Sequence, residues 1–470
     1  MSKGHYSIEV YGDLIAKCFK KSVRFNVKLR YMKHFHERKE MYSMELLEEI
    51  LSDENLNNAI QQVVRNKGAS GVDKMPTSEL KNLMSSGYRE VLKQEIRNRT
   101  YKPKPVKRID IPKPNGGVRH LGIPTVIDRM VQQAIMQKLT PIYEKQFSEF
   151  SYGFRPGRSA HNAIEKALEY MNQGREWIVD IDLEKFFDTV NHDKVMRIIS
   201  QSVKDGDVIS LINKYLKSGI MLDEGYKESV VGTPQGGPLS PLVANVMLDK
   251  LDKELEARGL SFVRYADDLQ IYVGTEKAAN RVMKNVTRFI EEELKLKVNV
   301  SKSKVRKPND GDTKYLGFGF FYDSNTYLYK AKPHKSSVAR LKEKIKKITS
   351  RSNAMSMTTR YTKLRQLLRG WFNYYKIGAI KSICIKIDQY TRNRLRICIW
   401  KQWKKIKTKR KELQKLGIPK QKAWEWANSR KAYARVANSF IMKRTYTNKR
   451  FEKEGYISME TLYQNFYKTI

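Results

Sequence analysis

The stretch FVRYADDLQIYV, residues 262–273, sets two adjacent aspartates inside a run that otherwise reads as buried strand. Phe, Val, Tyr and Ile dominate it, as in strands that pack on a core. Two like charges side by side repel each other and resist desolvation, so a strand interior is a poor place for them. A strand–turn–strand hairpin with Asp267 and Asp268 at its tip resolves the conflict.

A second acidic constellation lies upstream in VDIDLEKFFDTVNHD, residues 179–193. Asp180 and Asp182 alternate with Val179, Ile181 and Leu183, so on a strand the two acids share one face and the apolar residues the other. If the two hairpin-like segments neighbour each other in one sheet, Asp182 and Asp267 converge beside Asp268. Three such carboxylates repel unless cations sit among them, and hard oxygen ligands without His or Cys favour Mg²⁺ or Mn²⁺. Two ions ~4 Å apart serve in-line phosphoryl transfer. A lone Asp-Asp pair is more often a solvated turn; the upstream strand–Asp–helix motif shifts the balance.

Charge points the same way. The 470 residues hold 91 Lys plus Arg against 50 Asp plus Glu, a net charge of +41. Such an excess costs self-repulsion unless a polyanion offsets it, and nucleic acid is the usual one. A mean hydropathy of −0.62 and the lack of any 18-residue apolar run argue against a membrane protein. Without a signal-peptide pattern the expected location is the cytoplasm. Cys18, Cys384 and Cys398 form no paired motif, which argues against disulfide frameworks and cysteine zinc sites.

Along the chain, Ser52-Asp53-Glu54 reads as a helix N-cap, and 106–124 reads as a hairpin around Pro-Asn-Gly-Gly. Residues 125–147 read as an amphipathic helix interrupted at Pro141. WIVDIDLEKFFDTVN (177–191) is a strand leading into a helix, and a further helix is expected over 276–296. The Gly/Pro-rich GTPQGGPLSPL (232–242) lets the backbone approach a ligand closely. Lys113 and Arg119 flank a hairpin turn, a plausible grip for a triphosphate. Beyond about residue 332 strand signals fade into basic helices; in 401–415, eight of 15 residues are Lys or Arg and one is acidic. Any charge run has a bland reading as a solvated helix face, but the interleaved Trp371, Tyr374, Tyr375, Trp400 and Trp403 favour a nucleic-acid surface. The fold class expected is α+β with a largely antiparallel sheet, followed by helices.

Taken in order, DIDLEKFFDTVNHD, PQGGPLSPLVANVMLDKLD and YADD resemble the palm motifs of reverse transcriptases encoded by group II introns, in the compact form of bacterial group IIC introns. SYGFRPGRSAHNAI (151–164) and LRGWFNYYKIG (368–378) are similar to further motifs of that family, the latter in its maturase, or thumb, region. The resemblance covers roughly 44–450 and implies a right-hand polymerase: an N-terminal helical extension and start of fingers (44–105), fingers and palm (106–332), an α-helical thumb/maturase domain (333–400) and a basic, DNA-binding-like C-terminal region (401–470). It makes Asp182, Asp267 and Asp268 the catalytic metal ligands for two Mg²⁺, with Mn²⁺ as a substitute and the Leu183 backbone carbonyl as a further ligand. Asp182 is preferred over Asp180 because Phe187 then falls five residues on, where the family has a ring that excludes a ribose 2′-OH. Lys113, Arg119, Phe187, Gln235 and Lys302 match dNTP-binding positions. Arg155, Arg158, Arg369, Trp371, Lys401, Lys404 and Lys405 are expected nucleic-acid contacts.

The resemblance therefore implies RNA-directed DNA synthesis from dNTPs on an RNA template with a DNA primer. It also implies maturase action on a group II intron RNA and insertion at a target DNA, all in a bacterial cytoplasmic ribonucleoprotein. Two other readings stand beside it: a non-catalytic RNA-folding maturase, and a domesticated reverse transcriptase of defence or diversity generation. Lacking Cys after residue 400 and His after His334, the chain is expected to carry no HNH endonuclease. Residues 1–43 lie outside the resemblance, as an extension or an artefact of the start site with Met44 the true start.

Overall fold

A computed structural model describes residues 46–112, 116–222, 225–228, 232 and 236–468; the 1–43 segment lies outside them. The chain forms two compact units that alternate along the sequence. The first comprises the chain up to Pro156, then Ile181–Gly259 and Lys284–Ser303; the second comprises Gly157–Asp180, Leu260–Met283 and Lys304 onward.

The strands, in chain order, are β1 (Val106–Pro112), β2 (Val118–Ile123), β3 (Trp177–Ile181), β4 (Ile220–Leu222) and β5 (Gly225–Lys227). They continue with β6 (Ser261–Tyr265), β7 (Asp268–Val273), β8 (Lys304–Arg306), β9 (Phe318–Asp323) and β10 (Leu328–Pro333).

In the first unit, Ser52 caps the helix Asp53–Asn66, its hydroxyl accepting the Asn55 N–H at 3.4 Å. Leu56, Ala59, Ile60 and Val63 turn one face of that helix inward. The helix Val126–Glu144 starts at Thr125, whose hydroxyl accepts the Asp128 N–H at 3.2 Å. It runs through Pro141, where the sequence predicts an interruption. Proline there sits in the final turn and deletes a single hydrogen bond, while Met130, Val131, Ile135, Leu139 and Tyr143 are buried and hold the helix in place. The 106–124 hairpin forms as expected: β1 and β2 pair antiparallel with Pro112 opposite Val118. A pair the sequence did not signal, β4–β5, extends this sheet to the order β2-β1-β4-β5, with β4 parallel to β1.

The second unit holds a sheet ordered β6-β7-β3-β8. Along the chain β6, β7, the helix Glu276–Glu292 and β8 follow one another. Ile178, Val179, Phe262, Val263 and Ile271 are wholly buried, which is why these strands read as apolar runs. The hairpin β9–β10 follows, and then helices alone, chiefly Lys335–Ile348, Met357–Tyr375 and Lys381–Gln402. Trp400 and Trp403 pack edge to face at 5.9 Å and are buried, so these two aromatics belong to a core. The last helix, Met459–Lys468, is held by Asp388, whose carboxylate accepts the Tyr456 hydroxyl at 2.7 Å and the Met459 and Glu460 N–H groups at 2.9 Å each. No described helix is long and apolar enough to cross a membrane.

Candidate active site

Asp182 directly follows β3 in sequence and belongs to the first unit. Its backbone is held on both sides: the N–H donates to Ser303 Oγ at 3.0 Å and the carbonyl accepts the Asn299 N–H at 2.8 Å. The Glu184 N–H donates to the Lys297 carbonyl at 2.8 Å, so Leu183 faces Val298 in an antiparallel bridge. In such a bridge the central residue's own carbonyl turns away from the partner strand, which leaves that of Leu183 directed elsewhere than 297–299. Leu183's side chain is buried, with those of Val179 and Ile181, as the alternation predicts. The Asp182 carboxylate is half-buried and pairs with Lys302 Nζ at 3.2 Å.

Phe187 lies on the short helix Phe186–Thr189, its ring edge to face with buried Phe186 at 5.3 Å. With Arg119, Arg129, Phe154, Gln133 and Gly236 it lines a cleft of about 630 Å³. Two glycines, Gly232 and Gly236, make close backbone approaches on this side of the unit. Gly232 donates to the Val190 carbonyl at 2.8 Å, and a Cβ there would stand 2.9 Å from the Asp188 carbonyl oxygen. Gly236 has φ +136°, and a Cβ there would stand 2.5 Å from the Gly122 carbonyl oxygen of β2. The close approach is thus of backbone to backbone, closing the cleft wall. Lys113 and Gln235 lie outside the described residues.

In the second unit, Tyr265 pairs with Asp268, so Ala266 and Asp267 form a two-residue turn between β6 and β7. The strand–turn–strand reading of YADD is therefore the observed one. Ala266 takes φ +58°, a conformation that costs a non-glycine residue about 1 kcal/mol. Arg264, 1% exposed, donates to the Ala266 carbonyl at 2.9 Å and braces this turn. Asp267 is half-buried and Asp268 exposed. Asp180 pairs with Arg306 at 3.5 Å across β3–β8. Lys314 has its pKa lowered by desolvation and by Arg340, with Asp268 acting in the opposite sense. Burial and the neighbouring Tyr375 push the Tyr374 hydroxyl up to about 12.

The residues expected to touch nucleic acid divide sharply. Arg155 is buried, with its guanidinium committed to Glu144 at 2.9 Å and to the Ser148 and Ser151 carbonyls. This differs from the expected nucleic-acid contact: the guanidinium ties the 148–155 loop to the helix Val126–Glu144. Trp371 is half-buried, 4.5 Å from the Tyr375 ring, and its indole N–H has no partner among the described residues. Arg158 is half-buried, while Arg369, Lys404 and Lys405 are exposed; Lys401 lies over the Tyr433 ring at 5.3 Å. Among the described residues no three His, Cys, Asp or Glu side chains are grouped to hold a metal ion. The donor types of Asp182, Leu183, Asp267 and Asp268 are nonetheless the hard oxygens that Mg²⁺ takes.

Sequence reasoning missed Arg264 and Phe154. A charged residue at an inward strand position was the available signal for Arg264. Phe154, exposed with φ +59° and lining the Phe187 cleft, had none.

Residues 111–320 match the family described as reverse transcriptase (RNA-dependent DNA polymerase), and residues 338–417 match the group II intron, maturase-specific domain. The protein YkfC of Escherichia coli (strain K12) is 33% identical over 307 residues, spanning 57% of this chain and 80% of that one. The group II intron-encoded protein LtrA of Lactococcus lactis subsp. cremoris is 38% identical over 200 residues, 42% of this chain and 32% of that one. A chain of the partial Cas6-RT-Cas1–Cas2 complex is 26% identical, with TM-score 0.34, over 53% of this chain and 43% of that one. The family matches and the two sequence relatives define a reverse transcriptase, an RNA-directed DNA polymerase by class. With a maturase-specific domain following the polymerase domain, the chain belongs to the group II intron reverse transcriptase/maturase family.

Proposed function

We propose that the protein copies RNA into DNA by two-metal nucleotidyl transfer and also assists splicing of a group II intron RNA. The observation that carries this reading is one chain holding a reverse transcriptase match over 111–320 and a maturase-specific match over 338–417. Asp182, Asp267 and Asp268, with the Leu183 carbonyl, would hold two Mg²⁺ ions. When bound, such ions lower the pKa of a primer 3′-OH and neutralise charge on the leaving group. The chain's own residues do the rest. Lys113 and Arg119 grip the triphosphate, Gln235 lies beside the nascent pair, and the Phe187 ring excludes a 2′-OH. Lys302, which already balances Asp182 at 3.2 Å, has the charge to meet departing pyrophosphate.

Maturase action rests on residues 44–75 and the basic helices of 333–450, whose positive charge suits an RNA backbone. In this reading the partners are the intron RNA, an RNA template with DNA primer, and target DNA opened for target-primed synthesis, within a cytoplasmic ribonucleoprotein. Changing Asp267 and Asp268 together to Ala should abolish Mg²⁺-dependent cDNA synthesis while splicing acceleration persists. Undiminished synthesis by that variant would remove the catalytic assignment. A wild-type protein that accelerates splicing yet incorporates no dNTP would instead be a pure RNA-folding maturase.

A further inference from the structure

The helix Lys381–Gln402 carries Gln389, Arg392, Asn393 and Arg396 at spacings of three, four and seven residues, one stripe along ~10 Å of a single face. That stripe is one wall of a cleft of about 790 Å³, and Lys443 and Lys449 stand on the other. No residue lining the cleft is acidic. Arg392 and Arg396 are 8% and 6% exposed, deep burial for two arginines on one wall.

The two arginines are held differently. Arg396 donates to the Tyr446 carbonyl at 2.9 and 3.1 Å and lies over the Phe451 ring, so its place in the fold is accounted for. Burial, with the charge of Arg392 adding to it, lowers its pKa to about 10. Arg392 itself has no hydrogen-bond or ion-pair partner among the described residues. Asp388, one turn away, attracts Arg392 electrostatically but makes its hydrogen bonds with Tyr456, Met459 and Glu460. A guanidinium that lines a cation-walled cleft and makes no internal hydrogen bond has its donors available to an anion from outside.

We propose that this cleft binds successive phosphates of an RNA strand, with Arg392 as its deep anchor and Lys443 and Lys449 at its rim. The length of the stripe suits a run of phosphates rather than one small anion, and Gln389 and Asn393 offer amide groups to ribose and phosphate oxygens. RNA is the choice over DNA because the wall 389–396 falls within the maturase-specific match, 338–417. Lys443 and Lys449 lie beyond that match, so the cleft assigns part of the C-terminal segment to the same RNA surface. The proposal rests on the maturase reading above.

The test is binding of the full chain to a labelled group II intron transcript, and to single-stranded DNA of the same sequence, across a salt series. Lys443→Gln with Lys449→Gln, two exposed positions whose exchange leaves the core untouched, should weaken RNA binding about tenfold. It should also reduce the log–log salt slope by roughly 1 to 2. Arg392→Gln should weaken it by at least as much, with a melting curve checking its fold. Unchanged RNA affinity and slope in the double lysine variant overturns the proposal, as does a loss confined to DNA. A wild-type chain that fails to bind the transcript overturns the maturase reading along with it, which separates the two failures.

Discussion

Replacing Gly236 with Ala should damage the Phe187 cleft, the proposed polymerase site, far more than its size suggests. The residue sits at φ +136°, a region that costs an L-residue about 1–3 kcal/mol. The new Cβ would also stand 2.5 Å from the Gly122 carbonyl oxygen, so about 1 Å of movement is needed to restore ordinary contact. That oxygen belongs to the backbone of β2, paired along its length with β1, and cannot swing aside as a side chain would. Overpacking of this kind costs a further ~1–3 kcal/mol if nothing moves. Gly236 is the softer partner and should shift, carrying the cleft wall at Gly236 and Gly237 with it. A displacement of ~1 Å at a reacting centre costs on the order of 10²-fold in rate. In steady-state dTTP incorporation on poly(rA) primed with oligo(dT), Gly236→Ala should therefore lose kcat/KM by ten- to a hundredfold, roughly, with a modest drop in melting temperature. Gly259→Ala is the control: it has φ +65° and no neighbour within 4 Å, so it bears about 1 kcal/mol of backbone cost and no clash. Wild-type kinetics and wild-type melting for Gly236→Ala would refute the reasoning, since the close approach to Gly122 would then impose nothing.

Further outcomes follow from other positions. Phe187→Ala should raise ribonucleotide incorporation relative to dNTPs in a primer-extension assay with mixed substrates; unchanged sugar selection would remove the gate role. Arg264→Met keeps the bulk but loses the donor to the Ala266 carbonyl, a charged hydrogen bond worth about 1.5–3 kcal/mol, so kcat should fall about tenfold or more with KM for dNTP little changed. Asp388→Ala strands the Tyr456 hydroxyl and two N–H groups and should release the helix Met459–Lys468, seen as faster hydrogen exchange over 456–468. Burial raises the pKa of Asp388 above the usual carboxylate range. The folded state thus holds this proton more tightly than the unfolded state does. Its contribution to stability is full below the ordinary carboxylate value and is lost as pH climbs through the raised one. Asp388→Asn should flatten that part of the pH–stability curve in thermal melts.

The palm strands and the YADD turn were legible because each rests on a short-range rule. Period-two alternation predicts which of residues 179–183 are buried, and a charged pair inside an apolar run demands a turn. Ser52 capped its helix for the same local reason. Pro141 misled because propensity is a local cost, and here five buried side chains outweigh it. Arg155 misled because a motif argument cannot tell an arginine facing a nucleic acid from one facing Glu144. Trp400 and Trp403 read as a nucleic-acid surface from basic neighbours in sequence, while helical geometry turned them inward. The β1–β4 pairing and the Arg392 cleft depend on partners far apart in sequence, Val106 with Ile220 and Arg392 with Lys443, which no short sequence window contains.

The anchoring of Asp182 has a consequence for how the protein is made. The groups that clamp its peptide, Asn299 and Ser303, are synthesised more than a hundred residues later. At ~5–20 residues per second, a ribosome leaves that aspartate unclamped for several seconds to tens of seconds after it is joined to the chain. A product terminated between the YADD turn and Asn299 would carry every acidic motif and still lack the brace that orients the first of them. With Asp182 as the metal ligand proposed above, such a fragment is expected to be inactive, and competence would arrive late in the life of the nascent chain.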